Sequence, residues 1–181
     1  MQASLAPVNP MNRNVQRRLR GALAAALLIT SAASQAADLV PEARYSSIRP
    51  SGTRVDLTQI GNDNRATVDQ SGRDQHLQLL QQRDGNTANV NQGGAYNAAA
   101  VAQYGYNNYV QLDQNGRYNQ AAVTQIGTGN QASVVQSGAY NQAFVGQYGT
   151  GNQASVTQNG FGGKVTVNQY GTGGTATVTQ Q

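Results

Sequence analysis

The sequence contains no cysteine and only one histidine, and charged residues make up 11% of its 181 positions. Without cysteine there can be no disulfide, thiolate nucleophile or zinc ribbon. The single histidine, His76, falls at an outward position of an irregular segment, so we expect a solvated surface residue rather than a catalytic one. The aspartates follow no ligand spacing, which argues against a calcium-binding roll. These absences argue against an enzyme and predict no cofactor and no metal site.

The first 37 residues differ in composition from the rest of the chain. Arginines cluster within 13–20, an apolar run covers 22–30, and small residues dominate 31–37. This order predicts a helical secretory signal peptide over 1–37, cleaved after Ala36 or Ala37. Its apolar run is too short to span a bilayer, so we expect no transmembrane segment in the mature chain. Residues 38–53 carry two prolines and a glycine and predict a flexible leader, either a disordered terminus or an address for export machinery.

Cleavage of the signal peptide would change the charge balance. The sequence has 12 basic and 8 acidic residues, and four of the basic ones precede residue 21, which leaves 12 − 4 = 8 of each sign. A near-neutral chain gives no reason to expect a specific nucleic-acid partner, and it permits self-association.

Glutamine recurs every eleven residues, without a slip, from residue 59 to residue 180. These glutamines are Gln59, Gln70, Gln81, Gln92, Gln103, Gln114, Gln125, Gln136, Gln147, Gln158, Gln169 and Gln180. Two residues later comes a glycine, at Gly61, Gly72, Gly94, Gly105, Gly116, Gly127, Gly138, Gly149, Gly160 and Gly171. Five residues later comes an asparagine, at Asn64, Asn86, Asn97, Asn108, Asn119, Asn130, Asn141 and Asn152. A fixed period of this kind indicates units that are stable only when they stack on one another.

Within each unit the pattern alternates. The asparagine, a small apolar residue, a valine or leucine, and the next glutamine are each two residues apart, so they share one face of a strand. The glycines suit the tight turns between strands. Bulky residues follow every second glutamine, as at Ile60 and Tyr104, which doubles the period to 22 residues. We therefore predict an all-β fold over 54–181, a β-solenoid of about six two-strand coils with two facing parallel sheets.

The inward glutamines and asparagines are the candidate assembly residues, and the glycines are the candidate turn residues. A primary amide can both donate and accept, so identical amides stacked along the axis can form ladders. We expect these ladders to hold the coils together and to continue into neighbouring molecules.

The unit Gln-x-Gly-x-x-Asn-x-Ala-x-x-x-Gln resembles the curlin repeat. It is intact in 59–70, 114–125, 125–136, 136–147 and 147–158, and the resemblance covers 54–181. The resemblance implies a subunit of curli, the extracellular functional amyloid of bacterial biofilms, which assembles with itself and with a second curlin subunit by edge-to-edge stacking. It also implies Sec-dependent export, periplasmic chaperones, an outer-membrane curli secretion channel, and fibres at the cell surface that meet cell or abiotic surfaces.

The charge gradient along the repeats bears on the role of the subunit. Charges crowd the segment from Arg54 to Asp84, and the repeats that follow are regular and almost uncharged. This predicts a directional stack with a templating edge over 132–181, where the last unit ends in an uncapped strand. The unit at Gln169 resembles the minor, nucleating curlin slightly more than the major, fibre-forming one, although the irregular basic repeat that ends well-known minor subunits is missing.

Two binding functions of another class compete with assembly. An ice-binding solenoid would need a flat outward threonine ladder, and only Thr175, Thr177 and Thr179 supply a full rung. A carbohydrate- or surface-binding solenoid could use the tyrosines, but these lie mainly at turns, where stacked aromatic columns would form in any case.

Overall fold

The structure is a computed structural model and describes residues 52–181. The predicted signal peptide, and the predicted leader as far as residue 51, lie outside this range. The described residues form strands and turns, and among them there is no apolar helix of the length needed to cross a membrane.

Residues 52–181 form twelve strands joined by short turns. In chain order they are β1 (Arg54–Ile60), β2 (Arg65–Arg73), β3 (His76–Gln82), β4 (Thr87–Ala95), β5 (Ala98–Tyr106), β6 (Tyr109–Arg117), β7 (Gln120–Thr128), β8 (Gln131–Ala139), β9 (Gln142–Thr150), β10 (Gln153–Phe161), β11 (Lys164–Thr172) and β12 (Thr175–Gln180). The odd-numbered strands form one six-stranded sheet, here sheet A, and the even-numbered strands form the other, sheet B. All neighbours are parallel, which confirms the predicted solenoid of about six coils.

The register of both sheets follows the 22-residue repeat. Each residue pairs with the residue 22 positions further along, as Gln125 does with Gln147 in sheet A and Gln136 with Gln158 in sheet B. Every repeat position therefore forms a column parallel to the solenoid axis, with neighbours about 4.8 Å apart.

The core is a thin apolar layer between the two sheets. It consists of the alanine and valine or leucine columns, and it is fully buried in the middle coils, as at Val134 and Val156, both 0% exposed. At the first coil the same columns are open, and Val55 and Leu57 are 42% and 43% exposed. Within residues 52–181 the end strands have a packing neighbour on one side only, so they bury less.

Each turn contains two residues with positive φ. One is the predicted glycine two residues after the glutamine, as Gly127 with φ 128°. The other lies four residues after the glutamine; it is glycine at Gly129 (φ 66°) but tyrosine at Tyr96, Tyr118 and Tyr140, with φ of 59°, 58° and 60°. This second position tolerates L-residues because its φ lies in the left-handed helical region that they can reach at modest cost.

The prediction of a solvated His76 is wrong. The residue does lie at an outward position of β3, but it is only 6% exposed, and its Nε2 has no hydrogen-bond partner. In a parallel stack an outward side chain is flanked by the residues at the same position in adjacent strands, here Arg54 and Ala98. Burial lowers the pKa of His76, Arg54 lowers it further, and Asp56 acts in the opposite direction.

Candidate functional site

The glutamines form two continuous ladders, one along the inner face of each sheet. In sheet A, Nε2 of each glutamine donates to Oε1 of the glutamine 22 residues later, from Gln59 to Gln169, at 2.6–3.0 Å. In sheet B the same bonds run from Gln70 to Gln180 at 2.6–3.2 Å. The structure thus brings all twelve predicted glutamines together in two columns.

The same glutamines also join one sheet to the other. Nε2 of Gln125 donates its second hydrogen to the carbonyl oxygen of Tyr109 in sheet B, at 2.9 Å, and Nε2 of Gln136 donates to that of Gln120 in sheet A, at 3.0 Å. Equivalent bonds occur at Gln81, Gln92, Gln103, Gln114, Gln147 and Gln169. Two donor hydrogens with two partners satisfy a buried amide nitrogen, and such satisfaction offsets its desolvation.

The asparagines form a second pair of ladders at the turns. Oδ1 of Asn108 accepts from the backbone N–H of Asn130 at 3.1 Å, and Nδ2 of Asn108 donates to the carbonyl oxygen of Gly127 at 3.0 Å. The side chain of Asn108 therefore binds two parts of the adjacent coil, the end of β7 and the residue that precedes β8. The two asparagine ladders end at Gly163 and Gly174, whose N–H groups donate to Oδ1 of Asn141 and Asn152.

The glutamine ladders have one direction. Every bond between two glutamines runs from Nε2 in one coil to Oε1 in the coil on its C-terminal side, so the first coil presents the Oε1 atoms of Gln59 and Gln70 as ladder acceptors. At the other end, β11 and β12 each pair on one side only within residues 52–181, and they hold Gln169 and Gln180. The acceptor end and the donor end are therefore complementary in chemistry as well as in register.

Gln75 interrupts one asparagine ladder. It occupies an asparagine position and is fully buried, and its Nε2 donates to the carbonyl oxygens of Ser71 and Gly94, as an asparagine would. Its Oε1, however, is buried without a partner, because the extra methylene carries the oxygen away from the N–H that an asparagine would meet. Position 75 is therefore a weak rung close to the charged end of the solenoid.

We expect Gln75→Asn to stabilise the assembled form by about 1 kcal/mol, the usual net value of a hydrogen bond that satisfies a buried polar group. The measurement is the denaturant midpoint at which fibres dissolve. Asn119→Gln, the reverse change in the same ladder, is the matched control and should lower the midpoint. Equal midpoints for all three chains would show that this rung contributes nothing.

The predicted turn glycines are required by the stacking as well as by φ. A Cβ placed on Gly72, Gly94, Gly105, Gly116, Gly127, Gly138 or Gly149 would lie 1.8–2.1 Å from the carbonyl oxygen of the glycine in the next coil. No such contact exists at Gly171, which has no neighbouring coil on that side within the described residues. Arg83, the one exception to the glycine column, adopts φ 72°.

Tyrosines form stacked columns along the outside. At the turns after sheet B, Tyr96, Tyr118 and Tyr140 stack with ring centroids 4.8 and 4.9 Å apart, and Phe161 continues the column at 5.1 Å with a tilted ring. On sheet A, Tyr148 and Tyr170 stack at 5.0 Å. These spacings equal the strand spacing, so the columns follow from the repeat itself and need no ligand to explain them.

The charged residues of the first coils contribute to the turns. Oδ1 of Asp74 accepts from the N–H of Gly52 at 2.9 Å, and Oδ1 of Asp84 accepts from the N–H of Asn62 at 2.7 Å. Arg54 and Asp56 form an exposed ion pair at 2.8 Å, which adds little stability. The guanidinium of Arg83 lies 5.6 Å from the centre of the Tyr106 ring. Within residues 52–181, no group of three or more His, Cys, Asp or Glu side chains is placed to hold a metal ion.

Comparison with known proteins gives one match. The family model described as the curlin associated repeat matches residues 54–82, 84–116, 105–138 and 127–160. Searches among curated proteins and among solved structures give no significant match.

Proposed function

We propose that this chain, which belongs to the curlin repeat family, is a secreted subunit that starts and templates the growth of extracellular amyloid fibres. Family membership and the β-solenoid fold imply a curli amyloid subunit, which is a structural rather than an enzymatic role. The proposal adds the nucleating role, in preference to that of the major fibre subunit.

The observation that carries the proposal is the complementarity of the two ends. If a second copy continues the 22-residue register, Gln59 of that copy stacks on Gln169, and Nε2 of Gln169 lies next to a free Oε1 acceptor. The apolar columns continue as well, with Val55 on Val165 and Leu57 on Val167. This junction would cover the half-exposed Val55 and Leu57, and apolar burial favours it by about 25 cal/mol per Å².

The difference between the two ends supports a nucleating role. At a homotypic junction, Arg54 of the incoming copy would stack on Lys164, and like charges at strand spacing oppose each other. The incoming Asn64 would meet Gly174, which has no side-chain oxygen to accept its N–H. A partner subunit without the positive charge at position 54 would avoid the first penalty. The C-terminal end therefore suits a second curlin better than another copy of this chain.

The remaining features of the proposal concern the route to the surface. Residues 1–37 act as a Sec signal peptide and 38–53 as the leader for the outer-membrane curli channel, with periplasmic chaperones delaying assembly. The product is a cell-surface-associated fibre in a biofilm matrix. These roles rest on the composition of the two segments and on the family.

The experiment uses the predicted mature chain, residues 38–181, together with a purified second curlin subunit from the same genome. Thioflavin T fluorescence is followed for each protein alone and for the partner seeded with a small molar fraction of this chain. We expect this chain to remove most of the partner's lag phase, and its own fibres to grow more slowly than the partner's.

The outcomes separate the roles. Long fibres from this chain alone, without seeding of the partner, would assign it the major subunit's role. Neither fibres nor seeding would reject a fibre function and leave a ligand- or surface-binding solenoid as the alternative.

A further inference from the structure

The outer faces of the two sheets differ in chemistry. On sheet B the outward residues are mostly polar or small, with Tyr109, Val135 and Phe161 as the large exceptions. On sheet A the outward residues between β3 and β9 include a broad apolar set. Its members are Leu80, Ala98, Ala100, Ala102, Tyr104, Ala122, Ile126, Phe144 and Tyr148. We call this set the apolar face.

Several polar groups at the centre of sheet B bond one another. Nδ2 of Asn91 donates to Oδ1 of Asp113 at 2.6 Å, Nε2 of Gln111 donates to Oδ2 of the same aspartate at 3.0 Å, and the Tyr109 hydroxyl donates to Oε1 of Gln111 at 3.0 Å. Such a surface has little to gain from a partner. The apolar face offers no comparable network among its aliphatic side chains, and burying them would be favourable.

Charge also distinguishes the apolar face. Its strands β3, β5, β7 and β9 carry no Lys, Arg, Asp or Glu at outward positions, and the formal charges of sheet A lie at its two ends, on Arg54, Asp56 and Lys164. Two copies can therefore approach through this face without repulsion between like charges at its centre. The centre of the face is small, at Ala100 and Ala122, with Ile126 40% exposed beside it.

We propose that the apolar face is a lateral interface, through which the stacked fibre of the proposed function pairs side by side with a second fibre of the same chain. In a fibre that keeps the 22-residue register, sheet A of every subunit lies on the same side. The face then recurs on one side of the fibre in every subunit, separated from the next face by the end strands with Arg54, Asp56 and Lys164. This repetition along a fibre of one chain is what favours another copy as the occupant.

The area of the face indicates when pairing occurs. The four strands β3, β5, β7 and β9 at about 4.8 Å and about six residues at 3.3 Å give roughly 19 by 20 Å, or about 400 Å² per subunit. A pair of subunits would bury about 800 Å², which is below the range of specific, stable interfaces. A single subunit is thus marginal, whereas contacts repeated along two fibres add together. Pairing should therefore appear in fibres and be absent from the soluble chain.

The test compares Ala100→Glu with Ser133→Glu, its control. Each is the second outward residue of a central strand, Ala100 in β5 of sheet A and Ser133 in β8 of sheet B. Both variants therefore add the same charge at the same height of a strand. We expect electron microscopy to show paired fibres for the wild type and Ser133→Glu, and a paired fraction at least fivefold lower for Ala100→Glu. Pairing by Ala100→Glu at the wild-type level, or equal loss in both variants, would overturn the proposal.

A second measurement covers the case in which Ala100→Glu forms no fibres. Because the chain has no cysteine, Ala100→Cys and Ser133→Cys each introduce a single reactive site. We expect maleimide to label residue 100 in fibres at least tenfold more slowly than residue 133, and both at similar rates in the freshly dissolved chain. Protection of residue 100 in single, unpaired fibres would assign the face to another part of the same chain and overturn the proposal. Single fibres from the wild type would overturn it too while leaving the stacking function intact.

Discussion

Replacing Gly127 with alanine is expected to abolish fibre formation, or to slow it at least tenfold. The new Cβ would lie 1.9 Å from the carbonyl oxygen of Gly149 and 2.9 Å from its carbon, in a turn with φ 128°. That φ region is open essentially to glycine alone, and strain there costs about 1–3 kcal/mol before any clash is counted. The clash is with backbone, so relief would separate two coils and break the hydrogen bonds between them.

Gly129→Ala is the matched control in the same turn. A Cβ on Gly129 meets nothing within 4 Å, its φ is 66°, and the equivalent position holds tyrosine in other coils. We expect a cost of about 1 kcal/mol and fibre growth within a few-fold of the wild type. Both variants are followed by thioflavin T fluorescence and by β-type circular dichroism. Similar behaviour of the two variants would contradict the stacking requirement.

The columns of this fold follow directly from the sequence. A parallel stack places equivalent residues at equal heights, so a period of eleven residues without insertions predicts both the strands and their register, as at Gln125 and Gln147. The apolar alternation then assigns the inner face, since a one-residue shift would turn every glutamine outward. These inferences needed only the spacing of residues along the chain.

Features set by contacts between columns could not be predicted in this way. His76 is buried beside Arg54 and Ala98, and the alternating pattern alone does not report such lateral cover. The left-handed backbone conformation of Tyr118 could not be predicted, because tyrosine and glycine both occur at this position of the repeat. The repeat pattern shows that Gln75 replaces an asparagine, but it does not show that the extra methylene leaves Oε1 without a hydrogen-bond partner.

The direction of the glutamine ladders connects the fold with the proposed growth. Each amide could in principle point either way, but Nε2 must also reach the carbonyl oxygen of the opposite sheet, as Gln125 does at Tyr109. That second bond orients the nitrogen in the same way in coil after coil. The role of the ladders in assembly remains a prediction, and it is tested most severely at the coil that contains β10.

Replacing Ala154 and Val156 together with aspartate is expected to stop growth from the C-terminal end. These side chains are 5% and 0% exposed, and they lie between the alanine and valine columns of β8 and β12. Two inward carboxylates have no partner there, and an uncompensated buried charge costs several kcal/mol. We therefore expect the last coil to open while the N-terminal coils remain able to add to a fibre.

That asymmetry makes the variant a chain terminator. Mixed as a minor component with wild-type chain, it should join growing fibres through its N-terminal edge and then prevent further addition, so that fibres become shorter in proportion to its share. Ser155→Asp with Thr157→Asp is the control, because it adds the same charges to the same strand on the outward side. Fibre lengths are measured by electron microscopy. If the inward variant elongates seeds as the outward one does, growth does not use this edge, and the proposed templating role of 132–181 is wrong.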